Sequence, residues 1–456
     1  MKHPDVLIIG TGTAGQSCAY DLVNAGYRVM IAEHSRRPGG VCALSGCQPK
    51  KWLYEVAQNV ACSQHLQGKG IIKPPTVSWE QIMNAKNSFT AQVPENTVDN
   101  LKKSGIQFLE GMARFASPET VTINDTHIRP RYTVIATGAT PMSLPFSGSH
   151  HLATSSEFLE LKRLPRQLVL VGGGFISFEF AHFAARLGMV PGSIHIIETV
   201  DRPLGPFDAE MVAYLLEATR KEGIQVHTNR SIINVEEQEN GFTIVFESGE
   251  TMEADLLVHG AGRIANISEL NLDAAHVAHS KQGIEVNPSM MSSNPNIFAI
   301  GDCAATIQLS RVADFEGHIA AEAMIARDAG KDLPVIDYDA VPAVLFTYPQ
   351  LGMVGKTEDA LREEQVHYQK SSGSHLNWPT YRRVGMHHAA YKILVDQDDK
   401  ILGAHILADN VCGLIAILRQ AMMSNTPIPE LYRNNIMTPY PSRESDLIYM
   451  LKPLLH

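Results

Sequence analysis

The stretch Asp5-Val6-Leu7-Ile8-Ile9-Gly10-Thr11-Gly12-Thr13-Ala14-Gly15 decides the fold class of this chain. Asp5 to Ile9 reads as a buried strand, and the three glycines make a tight turn into a helix-like stretch that runs to Gly26. A second strand, Tyr27 to Ala32, ends in Glu33, 18 positions past Gly15. This is the strand-turn-helix-strand pattern that seats a dinucleotide. Gly10, Gly12 and Gly15, with Thr13 and Ala14 between them, let a pyrophosphate approach the helix N-terminus, and the Glu33 carboxylate can hold a ribose hydroxyl pair.

The pattern returns downstream. Leu168-Val169-Leu170-Val171 is a strand, and Gly172-Gly173-Gly174-Phe175-Ile176-Ser177 keeps the first two glycines, Gly172 and Gly174, with Ser177 in the third place. A helix carrying Glu179 follows, then a strand from Ser193 to Ile197 that ends in Glu198. Two such units imply two nucleotides. A carboxylate at Glu198 accepts adenosine ribose hydroxyls and repels a 2′-phosphate, so NADH is favoured over NADPH, although Arg202 is close in sequence. The fold class is therefore α/β, with two Rossmann-like domains.

At 456 residues the chain is expected to form two to three domains. A net charge of −10 without a basic stripe argues against nucleic acid as a partner. No run reaches the roughly 18 apolar residues of a membrane span. The N-terminus reads as a strand rather than a secretory signal, and a cytoplasmic location is the expectation.

Directly after the first unit comes Gly39-Gly40-Val41-Cys42-Ala43-Leu44-Ser45-Gly46-Cys47-Gln48-Pro49-Lys50-Lys51. In a reducing compartment a close cysteine pair is catalytic or metal-binding more often than structural. The C-x₄-C spacing has no second pair to complete a tetrahedral metal set, so a redox-active disulfide is the stronger reading. Helix-like sequence from Lys51 puts Cys47 near a helix N-terminus, where the dipole and Lys50 or Lys51 stabilise a thiolate. Cys18, Cys62, Cys303 and Cys412 are scattered and read as core or inert surface thiols. From Trp79 to about Ser104 the pattern is helical. Asn296 to Asp302 reads as a strand ending in Gly301-Asp302. From about Tyr338 short antiparallel strands and two helices mark a separate α+β domain.

Together these blocks resemble the class I pyridine nucleotide-disulfide oxidoreductases: lipoamide dehydrogenase, glutathione reductase, mercuric reductase and relatives. The resemblance runs from Gly10 to about Asp446 and is most specific at Cys42 and Cys47. It implies a discontinuous FAD-binding domain (1–150 and 271–335), an NAD(P)-binding domain (151–270) and a C-terminal dimerisation domain (336–456). FAD would meet the first fingerprint, Glu33, Gly40, Val41, Ala113, Thr137, Gly138, Gly301, Asp302 and Ser310. The nicotinamide cofactor would meet Gly172, Gly174, Phe175, Ile176, Glu198, Ile232, Gly262 and Arg263. Lys51 or Lys50 would approach the flavin and pair with Glu179. Phe175 stands where relatives usually carry a tyrosine that gates the nicotinamide pocket. Cys47 would be the sulfur beside the flavin and Cys42 the outer thiol that attacks a small disulfide or thiol-type substrate. A homodimer would share each active site between subunits.

The resemblance breaks near the C-terminus. The family's disulfide reductases place a His-Pro there, with a Glu five residues after the His. Here Tyr440 stands at the His position and Ser445 at the Glu position. Neutral imidazole takes a proton near pH 7, whereas a phenol, with a pKa of about 10, ordinarily does not. His387 and His388 read as surface residues rather than substitutes. Lipoamide or glutathione turnover is then expected to be poor. A metal-ion (mercuric-type) or quinone reductase on the same scaffold is the alternative, though Lys452 to His456 lacks the C-terminal cysteine pair of the mercuric enzymes. A redox sensor that does not turn over is the reading from another class.

Overall fold

The structure, a computed structural model, describes residues 3–455. Two units emerge: Met1–Trp52 with Met83–Ser143 and Gly262–Asp337, and Leu53–Ile82 with Leu144–Ala261 and Tyr338–His456.

The first unit is built on a five-stranded parallel sheet in the order Ile297–Ala299, Tyr132–Ile135, Val6–Ile9, Val29–Glu33, Gln107–Glu110. Val6–Ile9 is apolar at all four positions because it lies inside a sheet covered on both faces. The strand order reverses beside it, so the turn after Ile9 opens at a topological switch point, where ligands bind in such sheets. Gly10 takes φ +112°, and a Cβ there would collide with the Ala136 carbonyl oxygen. Helices Thr13–Asn24 and Ser310–Asp328 pack against each other. Gly317 permits this, since a Cβ on it would come within 2.6 Å of the Ala14 carbonyl oxygen. Leu7, Met30, Phe115, Ile123 and Ile297 share the core.

The second unit contains a four-stranded parallel sheet, Ile224–His227, Ile194–Ile197, Leu168–Val171, Leu256–His259. Helix Phe175–Arg186 leaves the glycine turn after Val171. The serine in the third glycine's place is accommodated because Gly260 lacks a Cβ, which would overlap the Ser177 hydroxyl. A five-stranded antiparallel sheet follows, ordered Ala343–Leu345, Gln350–Gly355, Ile401–Ala408, Ala390–Val395, Gln369–Gly373 and backed by helix Cys412–Met423. Strand Ala390–Val395 is buried along its whole length, Lys392 included. The Lys392 ammonium meets Asp208, the N-cap of helix Ala209–Lys221, together with Glu210 and Glu358.

Several boundaries differ from the sequence reading. The helical region from Trp79 divides into Trp79–Ala91 and Val93–Lys103, with Pro94 in the first turn of the second helix. Proline lacks the N–H that a continuous helix would use there. Residues Gly40–Leu44, bearing Cys42, form a short helix that the glycine pair conceals. Among the described residues no helix is long and apolar enough to cross a membrane.

Candidate active site

Thr11 organises the first fingerprint. Its hydroxyl donates to Glu33 Oε2 at 2.6 Å and accepts the Gly39 N–H at 3.0 Å, and its own N–H donates to the same carboxylate oxygen at 3.0 Å. One buried threonine thus joins the glycine turn, the acidic strand end and the Gly39-Gly40 turn. Sequence reasoning passed over it, because the residue between the first two glycines has no required identity in the pattern. Gly40 takes φ +77° and faces Gly12 so closely that a Cβ on it would lie 2.5 Å from the Gly12 Cα.

The cysteine pair stands as two thiols. Cys42 lies in the short helix Gly40–Leu44, and Cys47 is the first residue of helix Cys47–His65. Ser310, which opens helix Ser310–Asp328 and was expected at the FAD, donates its hydroxyl to Cys42 Sγ at 3.1 Å. The two sulfurs are held in different protonation states. The hydrogen bond from Cys42 draws the Cys47 thiol down to about 6 against the cost of burial, helped by the Lys50 charge and the Ser310 hydroxyl. The same bond, with burial, pushes the Cys42 thiol far up. Cys47 is thereby the more acidic of the two thiols, with Cys42 the hydrogen-bond donor to it. Cys18 and Cys303 are buried in the core, and burial raises both thiols.

The first unit also gathers Ala113, Thr137, Gly138, Gly301, Asp302 and Arg263. Ala113 opens strand Ala113–Ser117, and the Asn266 side chain donates to the Thr137 carbonyl at 3.4 Å. Gly301 donates its N–H to the buried Glu316 carboxylate at 2.6 Å. Burial raises the Asp302 carboxyl, and Arg263 partly offsets the shift. Gly262 and Arg263, expected with the nicotinamide cofactor, fall in this unit, and Arg263 donates to the Ala139 carbonyl.

These residues fit FAD. Helix Thr13–Asn24 begins at Gly12 with no side-chain cap and no acidic residue in its first turn, so its free amides favour a pyrophosphate. Asp302 holds a half-buried carboxylate ready to accept hydroxyls.

In the second unit the Glu198 carboxylate accepts the N–H groups of Gly173 at 2.6 Å and Thr199 at 2.6 Å. This repeats the Glu33 arrangement. Helix Phe175–Arg186 starts at Gly174, again uncapped by any side chain, with the Phe175 ring half exposed and Ile176 next to it. Arg202 donates to the Phe207 carbonyl at 2.9 Å and the Gly205 carbonyl at 3.3 Å. Ile232 opens strand Ile232–Gln238. Glu179 is buried and accepts the Phe346 N–H at 3.0 Å. Two further residues of the same helix continue that contact: His182 Nδ1 accepts the Tyr348 N–H at 3.4 Å, and Arg186 donates to the Tyr348 carbonyl at 3.0 Å. Lys50 and Lys51 lie in the first turns of helix Cys47–His65.

Tyr440 lies between helix Ile428–Asn435 and the turn Glu444–Asp446, and is 76% exposed. Ile436 and Met437 beside it are also exposed. Ser445 exchanges hydrogen bonds with Ser442. His388, expected at the surface, is buried just before strand Ala390–Val395, whereas His387 is exposed.

Comparison with known proteins accords with this geometry. The family model described as pyridine nucleotide-disulphide oxidoreductase matches residues 4–317, and that of the family's dimerisation domain matches residues 341–446. A dihydrolipoyl dehydrogenase of Bacillus subtilis (strain 168) is 33% identical over 371 residues, 79% of this chain and 77% of its own. A glutathione reductase of Burkholderia cepacia is 29% identical over 414 residues, 90% of each chain. The HOCl-induced flavoprotein disulfide reductase RclA from Escherichia coli superposes with a TM-score of 0.87 at 25% identity, covering 99% of this chain and 100% of that one. The chain belongs to the pyridine nucleotide-disulphide oxidoreductase family and is an NAD(P)H-dependent flavoprotein disulfide oxidoreductase.

Proposed function

We propose that this enzyme passes electrons from NADH, through FAD at the first fingerprint, to Cys42 and Cys47 and on to a small disulfide or thiol-type acceptor. The observation that carries the reading is the unequal thiol pair, with Cys47 drawn down to about 6 and Cys42 pushed up. Bound FAD supplies hydride exchange with a nicotinamide and two-electron exchange with a dithiol.

The protein's own residues do the rest. Cys42, once deprotonated, attacks one sulfur of the acceptor disulfide, forming a mixed disulfide and releasing one thiolate, which takes a proton. Cys47 then attacks Cys42 Sγ, forming the Cys42–Cys47 disulfide and releasing the second thiolate. Two electrons and the single proton of the pair have then left it; oxidation of NADH to NAD+ restores both as the equivalent of a hydride, and the second released thiolate takes its proton from water. Ser310 steadies negative charge on Cys42 while the proton is away. Glu198 carries the NADH preference: its charge opposes a 2′-phosphate, and Arg202, held by two carbonyls, is not turned to receive one.

Residues 336–456 are read as the dimerisation domain, and the exposed Ile436, Met437 and Tyr440 as part of a seam with a second copy. Tyr440 stands there where a histidine would serve Cys42, so proton removal from Cys42 is the slow part of disulfide turnover. A metal ion or quinone as terminal acceptor is the second reading, favoured by this lack of an imidazole. A cytosolic setting, which keeps close thiols reduced, belongs to the same proposal.

Anaerobic titration of the flavin-loaded enzyme with NADH tests the route. At two-electron reduction the Cys47 thiolate beside the flavin gives long-wavelength absorbance, kept in Cys42→Ser and lost in Cys47→Ser. Wild type without that band would overturn the dithiol route. Lipoamide, glutathione disulfide, mercuric ion and quinones then identify the acceptor.

A further inference from the structure

Three side chains in the second unit point ligand atoms at one spot. Glu217 lies on helix Ala209–Lys221, His375 just after strand Gln369–Gly373, and His388 just before strand Ala390–Val395. One ligand atom from each falls within 4.8 Å of the others. His375 Nε2 is 3.9 Å from Glu217 Oε2, and the two imidazole centroids are 6.1 Å apart.

The surroundings prepare these groups for a cation. His375 Nδ1 is 3.3 Å from the His387 carbonyl oxygen. That bond fixes the proton on Nδ1 and leaves the Nε2 lone pair facing Glu217, as in metal-ligating histidines held by a backbone carbonyl. Tyr214, one turn before Glu217, packs edge-on against the His375 ring. His388 is more than nine-tenths buried, and its Nδ1 has no hydrogen-bond partner among the described residues. A buried nitrogen left without a partner is costly, and a bound cation would satisfy it.

We infer that Glu217, His375 and His388 form a binding site for one divalent transition ion of the zinc or copper(II) kind, clipping helix Ala209–Lys221 to the chain between Gly373 and Ala390. Two imidazoles and one carboxylate suit these borderline ions rather than calcium or magnesium, which take oxygen ligands. Three protein ligands leave a fourth position for water. The ligand set shares no residue with the thiol pair.

Zinc titration of the flavin-loaded Cys42→Ser/Cys47→Ser enzyme by calorimetry tests the site without interference from the active thiols. One ion per chain is expected, with binding weakened at least about tenfold in His375→Ala and in Glu217→Gln. His375 is half exposed, so its loss leaves the core intact; retained flavin and an unchanged far-UV spectrum check this. Copper(II) in the same protein should show magnetic coupling to two imidazole nitrogens, falling to one in His375→Ala. No zinc binding, binding unchanged by His375→Ala, or copper coupled to fewer than two nitrogens would overturn the inference.

Discussion

The Ser310 hydroxyl donates to Cys42 Sγ at 3.1 Å, placing the first turn of one helix on one sulfur of the dithiol. That bond lowers the proton affinity of both thiols. In Ser310→Ala the thiolate should form at higher pH. Alkylation of the reduced enzyme should reach half its maximal rate near pH 6 in wild type, set by Cys47, and about half to one pH unit higher in the variant. A hydrogen bond worth about 1 kcal/mol corresponds to such a shift.

In the proposed nicotinamide site, Glu198→Gln keeps the shape of the side chain and removes its charge. NADH turnover should fall modestly while NADPH turnover rises, lowering the preference between them by about tenfold, or roughly 1.4 kcal/mol. Steady-state kcat/KM with each nucleotide measures the ratio.

Tyr440→His supplies an imidazole at the position proposed above to lack the base for Cys42. A positioned base contributes about 10²–10⁴-fold. Turnover of a small disulfide should rise toward the lower end of that range and acquire a new dependence on pH near 6.5. An unchanged rate and profile would place the limitation elsewhere in the pocket.

Lys392 is buried among Asp208, Glu210 and Glu358, at 2.9, 2.9 and 2.7 Å. Removing one partner of a buried ionic group strands the others, at about 3–5 kcal/mol. Lys392→Met should lower the urea midpoint of the holoenzyme accordingly. Burial raises the Glu358 carboxyl, but hydrogen bonds from Lys392, Tyr368 and Lys370 outweigh it and hold it down to about 2. Asp208 is likewise lowered, by Lys392 against burial. Depressed carboxylates contribute stability that is complete above their unfolded values, about 4, and is lost as pH falls through the folded ones. Acid unfolding between pH 4 and 2 should therefore be steeper in wild type than in Lys392→Met.

Both parallel sheets were legible because their strands are short apolar runs stopped by glycines, and Leu168–Val171 falls where the pattern put it. The thiol pair was legible from spacing and flanking charge. What stayed hidden depends on partners remote in sequence. Ser310 reaches Cys42 across 268 positions, and Lys392 reaches Asp208 across 184. Within Ala390-Tyr391-Lys392-Ile393, a lysine in a strand reads as a solvent-facing residue, and only the fold shows that carboxylates meet it indoors. His388 was read as a surface residue for the same reason: a histidine before a strand carries no local sign of burial.

Glu179, His182 and Arg186 bind the backbone at Phe346 and Tyr348, so helix Phe175–Arg186 is riveted along one side to a single neighbouring segment. Arg186 adds an ion pair with Glu222 at 2.9 Å. A rod fastened at three points cannot slide or tilt without breaking those hydrogen bonds. In the nicotinamide site proposed at its start, the helix is thus a fixed wall, and adjustment to a cofactor falls to side chains rather than to the element as a whole.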